Sequence, residues 1–337
     1  VSPVSCCEVP HHNRAGQRYV LDFDLKPGES IIVKAAVSSV DFEGARANLA
    51  SDPAGFDFEA RLRDCRAAWD RILGMATVEG SETQKRLFYT ALYHAYVQPN
   101  LFSDADGRCR YTDNGRKGFS KVVTARNHDV YSTLSLWDTY RAAHPLYTLV
   151  TPERVDGFVD SILDHAEKTG FMPIWEIYGL EGYDMIGAHS IPVVLDAWRK
   201  GFKVDLKAFF PHIKYTLTHD NRPKAKKDMH HCHWDKLDRL GYFPCDVVHW
   251  GSLSRVMETA MDDWCAAEMA KELGLKEDEA FFRKRSEIWR NSFNPETGLL
   301  CPRLTDGSWL EPYNPEWPIR PKDHPKGFCA DGTEGTG

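Results

Sequence analysis

Residues 134–146 read LSLWDTYRAAHPL and bring Trp137, Asp138, Tyr140, Arg141 and His144 into one short run. At helical spacing Trp137, Tyr140, Arg141 and His144 share a face, because positions three and four apart are neighbours on a helix. A ring whose face takes C–H groups, beside a carboxylate and a guanidinium that bind hydroxyls, suits a polyhydroxylated ligand. Such groups also gather in purely structural ion pairs, with the Trp as packing.

Three further stretches carry more polar and aromatic groups than packing needs. Residues 173–189, PIWEIYGLEGYDMIGAH, hold Trp175, Glu176, Tyr178, Glu181, Tyr183, Asp184 and His189. Met261-Asp262-Asp263-Trp264 lies within a helical pattern, and residues 331–337, DGTEGTG, place Glu334 between glycines. Carboxylates and aromatics on loops over a helical scaffold fit a carbohydrate site. Glycoside hydrolysis needs one carboxylic acid for the leaving oxygen and a second carboxylate for water or direct attack. The structural alternatives are an outer-helix charge for Glu176, solvent-facing acids at Asp262 and Asp263, and an idle loop acid at Glu334.

These residues need elements to hold them. Tyr19, Leu21, Phe23 and Leu25 alternate, a Pro-Gly turn follows, and Ile31, Ile32 and Val33 continue. The pattern predicts a half-buried hairpin over 18–42, the tail of a larger β domain. After Gly55 the period becomes helical. Asp57 caps a helix with Phe58, Leu62, Cys65, Trp69 and Ile72 on one face, and Ser81 with Gln84 forms a capping box. Further helices are predicted from Thr151-Pro152 to Gly170, over 191–200, 206–217 and 253–273, and over 277–293. Paired helices without a fixed repeat favour an (α/α) toroid over a solenoid. The fold expected is mainly α: a partial (α/α)6 toroid preceded by the tail of an antiparallel β-sandwich. The divisions are 1–54 for the sandwich tail, 55–75 for a linker helix and 76–337 for the toroid. Both ends read as cuts within a longer sequence.

The 337 residues are 42% hydrophobic and 27% charged, with a net charge of −7. That is an ordinary globular composition. With no basic face implied, nucleic acid is not an expected partner. No apolar run approaches the roughly 20 residues that span a bilayer. Nine cysteines, an odd number, show no regular spacing; they read as free or buried thiols, with one or two disulfides open to an exported protein. His230-His231-Cys232-His233 lacks the partner pair of a zinc site and reads as a polar insertion after the charged run 224–228.

LFYTALYHAYVQPN, YSTLSLWDTYRAAHPLYTLVTPE, GFMPIWEIYG, MIGAHSIPVVLDAWRKGF, METAMDDWCAAEMAKELG and TEG occur in the order and spacing of glycoside hydrolase family 92. The chain resembles these calcium-dependent, exo-acting α-mannosidases from about Ala45 to Glu334. The resemblance implies a β-sandwich, a linking helical segment and an (α/α)6 barrel. It implies removal of terminal α-linked mannose, α-1,2 in particular, from glycans such as N-glycans, with inversion and bound Ca²⁺. It places the general acid at Glu334 of the TEG motif. The aspartate base belongs to a later motif with no counterpart here, so the chain alone is expected to be inactive. Trp137 and Asp138 are expected to hold the non-reducing mannose at the bottom of a pocket with Arg141 beside them; Glu181 and His189 join them as substrate-binding positions. Family members commonly carry a GNET-like run where this chain has Gly179-Leu180-Glu181-Gly182. A secreted, periplasmic or cell-surface location follows from the resemblance. The competing expectations are another (α/α)6 glycosidase, trehalase- or glucosidase-like, and a glycan-binding or structural fragment without turnover.

Overall fold

Local signals decide where most helices begin and end in the computed structural model, which describes residues 5–9, 18–112, 120–125, 129–220, 232–248 and 251–313. After a first helix, α1 (Phe42–Ser51), Asp57 accepts the Ala60 N–H and opens α2 (Phe58–Leu73). Ser81 and Gln84 make the reciprocal capping box of α3 (Glu82–Ala95). Next come a single turn, α4 (Leu136–Thr139), then α5 (Ala143–Val150) and α6 (Pro152–Thr169), which Gly170 ends at φ +98°. Only glycine adopts that left-handed cap without a Cβ penalty. The remaining helices are α7 (Ser190–Arg199), α8 (Leu206–Thr218), α9 (Trp234–Leu240), α10 (Ser252–Glu272) and α11 (Lys276–Arg285).

The predicted helix over 277–293 is in fact two pieces: α11 stops at Arg285 and a 3-10 turn spans Ile288–Ser292. The continuous hairpin over 18–42 is also corrected. Strand β2 (Arg18–Asp22) pairs backwards with β1 (Ser5–Val9), and residues 31–33 form no strand. Alternation marks a half-buried strand only where a partner lies on the right side.

The main core is helical. Val155, Phe158, Val159 and Ile162 of α6, Ile191, Val194 and Leu195 of α7, Phe209 and Ile213 of α8, and Val256, Ala266 and Met269 of α10 meet in one cluster. α6 packs on α5, α7 and α8, and α10 on α7, α8 and α11, which makes the chain mainly α and a partial (α/α) toroid.

Short strands brace one end. Beyond β3 (Asn100–Leu101) they are β4 (Arg108–Thr112), β5 (Ser120–Thr124), β6 (Tyr131–Ser132), β7 (Leu134–Ser135), β8 (Trp175–Ile177) and β9 (Leu180–Glu181). A five-stranded sheet runs β5-β4-β9-β8-β7, in which β7 leads directly into α4. Asp104, beside this sheet, accepts from Ser38 and Asn48 and so ties the α1 region to it. A small pair, β10 (Phe293–Asn294) and β11 (Leu299–Leu300), closes the described part.

Candidate carbohydrate site

Because α4 is one turn long, its residues fan out rather than forming a continuous helical stripe. Arg141 lies over two rings, its Cζ 5.1 Å from the centre of Trp137 and 4.9 Å from that of Tyr140. Both separations fall within cation–π range. The predicted shared face ends there. The backbone leaves helical geometry at Ala142, and His144 is buried in α5, edge-on to Tyr147 and Phe158. Burial alone holds the His144 pKa down to about 4. His144 is therefore part of the core.

Tyr140 links this group to the interior. Its ring stacks on His189, centres 4.1 Å apart and 20° from parallel. His189 Nε2 lies 2.7 Å from Glu258 Oε2, and Nδ1 lies 3.3 Å from Asp262 Oδ1. These are ion-pair contacts rather than aligned hydrogen bonds. The other Asp262 oxygen accepts the Ala188 N–H at 2.6 Å. Burial pulls the His189 pKa down, but the Asp262 and Glu258 carboxylates outweigh it and lift it to about 9. At neutral pH the ring is an imidazolium with two N–H donors. Gly187 comes so close, at φ +76°, that a Cβ there would run into the His189 ring.

Trp137, Asp138 and Arg141 occupy one locality, with His189 one ring further in. Trp137 is half-buried, and its Nε1 has no hydrogen-bond partner among the described residues. Asp138 differs from the pocket-floor expectation: it is exposed, and its carboxylate takes the hydroxyl of Ser135, the residue before its own helical turn. Three cavities among the described residues, of about 580, 570 and 530 Å³, have other linings. His189 is 1% exposed.

Glu181 sits apart from that group. It is fully buried and accepts N–H groups from Ile174, Trp175 and Tyr183 at 2.9, 3.0 and 2.9 Å. Glu176 faces it across the β8–β9 ladder and accepts from the Ser132 hydroxyl, Thr133 N–H and Gly179 N–H. The outer-helix reading of Glu176 is thus overturned, since it is a buried strand residue. Burial pushes Glu176 up to about 8 and Glu181 up to about 7, against the hydrogen bonds that favour their charged forms. Both carboxylates organise the loop that ends at His189.

The solvent-facing reading of Asp262 and Asp263 is likewise overturned. Both are buried, and Asp263 takes both arms of Arg285 at 2.7 and 2.8 Å. Sequence reasoning missed Glu258 as the second partner of His189. Its i, i+4 spacing to Asp262 was the available signal, since it puts both acids on one face of α10.

Glu334 lies outside the described residues, as do His230 and His231. Cys65, Cys109, Cys265 and Cys301 are free thiols. Among the described residues no group of three or more His, Cys, Asp or Glu could hold a metal ion. Among the same residues no helix is long and apolar enough to cross a membrane.

The model of the glycosyl hydrolase family 92 catalytic domain matches residues 44–336. Over 284 residues the chain is 22% identical to an uncharacterized secreted glycosidase of Arthroderma benhamiae, covering 75% of this chain and 30% of that one. It is similar to the solved structure of a family GH92 α-mannosidase from Bacteroides thetaiotaomicron, with 33% identity and a TM-score of 0.72. That match covers 82% of this chain and 36% of the other. A family GH92 inverting mannosidase from the same bacterium gives 26% identity and a TM-score of 0.78 over 94% of this chain and 43% of that one. The chain thus spans between 30% and 43% of the length of these relatives.

Proposed function

The chain belongs to glycosyl hydrolase family 92, and on that premise we propose that it carries part of the sugar-binding apparatus of an exo-acting α-mannosidase. The reaction is release of a terminal α-linked mannose, α-1,2 in particular, from glycans such as N-glycans, with inversion. The observation that carries this reading is the continuous stack Trp137–Arg141–Tyr140 at the end of the helical core. Trp137 offers a ring to the C–H face of a sugar. The exposed Asp138 carboxylate offers acceptors to hydroxyls, exchanging its local Ser135 contact for a ligand. The similar α-mannosidase solved with mannoimidazole supports a mannose-like occupant.

Glu334 is proposed as the general acid. Calcium is proposed as the ion that ligates mannose hydroxyls; a hard cation with oxygen ligands supplies that chemistry. The secreted relative supports an extracytoplasmic location.

The test is mannose release from an α-1,2-linked mannobiose by the longer protein containing this chain, with and without a calcium chelator. Trp137→Ala and Asp138→Ala are each expected to lower kcat/KM at least about 100-fold, an order of loss typical of removing a group that binds the transition state. Unchanged turnover in both variants would remove the proposal, and activity on glucosides alone would reassign the substrate.

A further inference from the structure

We infer that His189 is a positioning residue: clamped between Glu258 and Asp262, its ring is the support on which Tyr140 lies, and through Tyr140 it sets Arg141 over Trp137. The inference rests on the reading of Trp137, Asp138 and Arg141 as the mannose-holding group, and it gives His189 a role other than direct contact with substrate.

Three observations lead to it. The first is that α4 cannot fix its own side chains. It is one turn long, its N-cap Ser135 side chain accepts no backbone N–H, and it ends before the non-helical Ala142. A helix this short lacks intrinsic stability, so Tyr140 and Arg141 must be held from outside.

The second is that the outside support is unusually well fixed. Both His189 nitrogens face carboxylates one turn apart on α10, the longest helix among the described residues. Asp262 also takes the Ala188 N–H, which pins the backbone beside His189 to the same helix. Gly187 closes against the ring where no Cβ fits. Rotation and translation of the ring are therefore both restricted.

The third is contact in the right direction. One face of the imidazolium is covered by Tyr140, and Tyr140 in turn lies beneath the Arg141 guanidinium. A cation against an aromatic face is attractive, so the stack is held from both sides. His189 is too deeply buried to act on a ligand itself, yet every contact it makes is conveyed outward through Tyr140 to Arg141.

The test uses the 337-residue chain with isotopically labelled arginine. Ring currents from Trp137 and Tyr140 place the Arg141 side-chain resonances upfield, and Arg141→Lys assigns them. In His189→Gln, folded by its thermal transition, these resonances are expected to move to random-coil positions, while Tyr140→Phe keeps them in place. Tyr140→Leu removes the stack without touching the buried charges, and the same displacement is expected should His189→Gln fail to fold. Unmoved Arg141 resonances in either folded variant, His189→Gln or Tyr140→Leu, overturn the inference.

Titration of the longer protein containing this chain with methyl α-D-mannoside supplies the second readout. A tenfold or greater loss of affinity in His189→Gln, with no further loss when Arg141→Ala is added, supports action through Arg141. Losses that add mean a separate route for His189 and overturn the inference. Displaced Arg141 in the variants alongside a longer wild-type protein that binds no mannoside leaves the positioning role standing and removes the mannose reading instead.

Discussion

At positions 262 and 263 the sequence repeats one residue type, and the fold gives the two side chains different work. Asp262 points to His189 and the Ala188 N–H, whereas Asp263 is locked to Arg285. Arg285 also caps the end of α8 through Leu217 O at 2.6 Å and lies against Trp234 and Phe281. Burial lifts the Asp263 carboxyl and Arg285 opposes it, leaving the pKa at about 6. Asp263→Ala should strand a buried guanidinium, and urea unfolding should show about 3–5 kcal/mol lost. A loss below about 1 kcal/mol, typical of an exposed pair, would mean the pair is wetter than its burial indicates. Glu334 makes a different prediction at the same scale. As the proposed general acid it would have to hold a proton at working pH, and flanking glycines let a backbone come close to a ligand. Glu334→Gln in the longer protein should cripple mannosides with alkoxide leaving groups and spare those with activated aryl leaving groups. Equal loss on both substrates would leave Glu334 an idle loop carboxylate.

Among the elements, the β8–β9 hairpin has the least ordinary construction. Tyr178, Tyr183 and Met185 all adopt positive φ, at 52°, 55° and 67°, in the stretch leading to His189. Non-glycine residues in that region are strained, and such strain persists only where surrounding contacts over-determine it. Glu176 and Glu181 provide those contacts by gathering backbone N–H groups. Their raised pKa values have a thermodynamic consequence. A carboxyl that holds its proton more tightly when folded contributes stability that is full below its unfolded value, near about pH 4.3. That contribution is lost as pH rises through the folded values of about 7 and 8 and is flat above them. His189 adds to the alkaline loss as pH passes about 9. The buried His144 and His165, held down to about 4 and 3 by burial, act in the acid range. There the unfolded chain gains protons below about pH 6.5, and stability falls with decreasing pH. Calorimetry should therefore give a maximum in melting temperature near the middle of the range. Glu176→Gln should flatten the decline between about pH 5 and 8. An unaltered slope would show that Glu176 is ionised throughout.

For the molecule as a whole, apolar surface is unevenly distributed. The main core draws chiefly on α5 to α11, while no residue of α2 is buried and Leu92 is the buried residue of α3. Phe42, Phe58, Leu87 and Leu149 are 72%, 58%, 67% and 75% exposed. Single exposed apolar residues are common, but several large ones raise the tendency to associate. The isolated chain should bind a hydrophobic dye and self-associate with rising concentration. Phe58→Ser combined with Leu87→Ser should reduce both while leaving the melting temperature within a few degrees, because neither side chain is packed. A monomeric, dye-silent chain by light scattering and fluorescence would contradict this.

Capping residues, apolar periods and turn glycines act over a few positions, so α2, α3, α6, α7, α8 and α10 were legible in the sequence with boundaries close to those observed. The motif order carried the family for the same reason, since it is a property of the chain alone. What required the fold was partnership between distant positions. No local rule pairs Asp263 with Arg285, faces Glu176 to Glu181, or draws β2 back to β1. Helical spacing carried Trp137, Tyr140 and Arg141 together but failed at His144, because Ala142 breaks the helix between them. Asp262 could be named as a notable acid but not assigned a partner, and Glu258 was not singled out. Their meaning depends on α10 passing beneath the loop that carries His189, a contact between residues some 70 positions apart. Surroundings then decide the chemistry: two carboxylates hold a histidine as a cation against the pull of burial, while removal from water turns a strand glutamate into a weak acid.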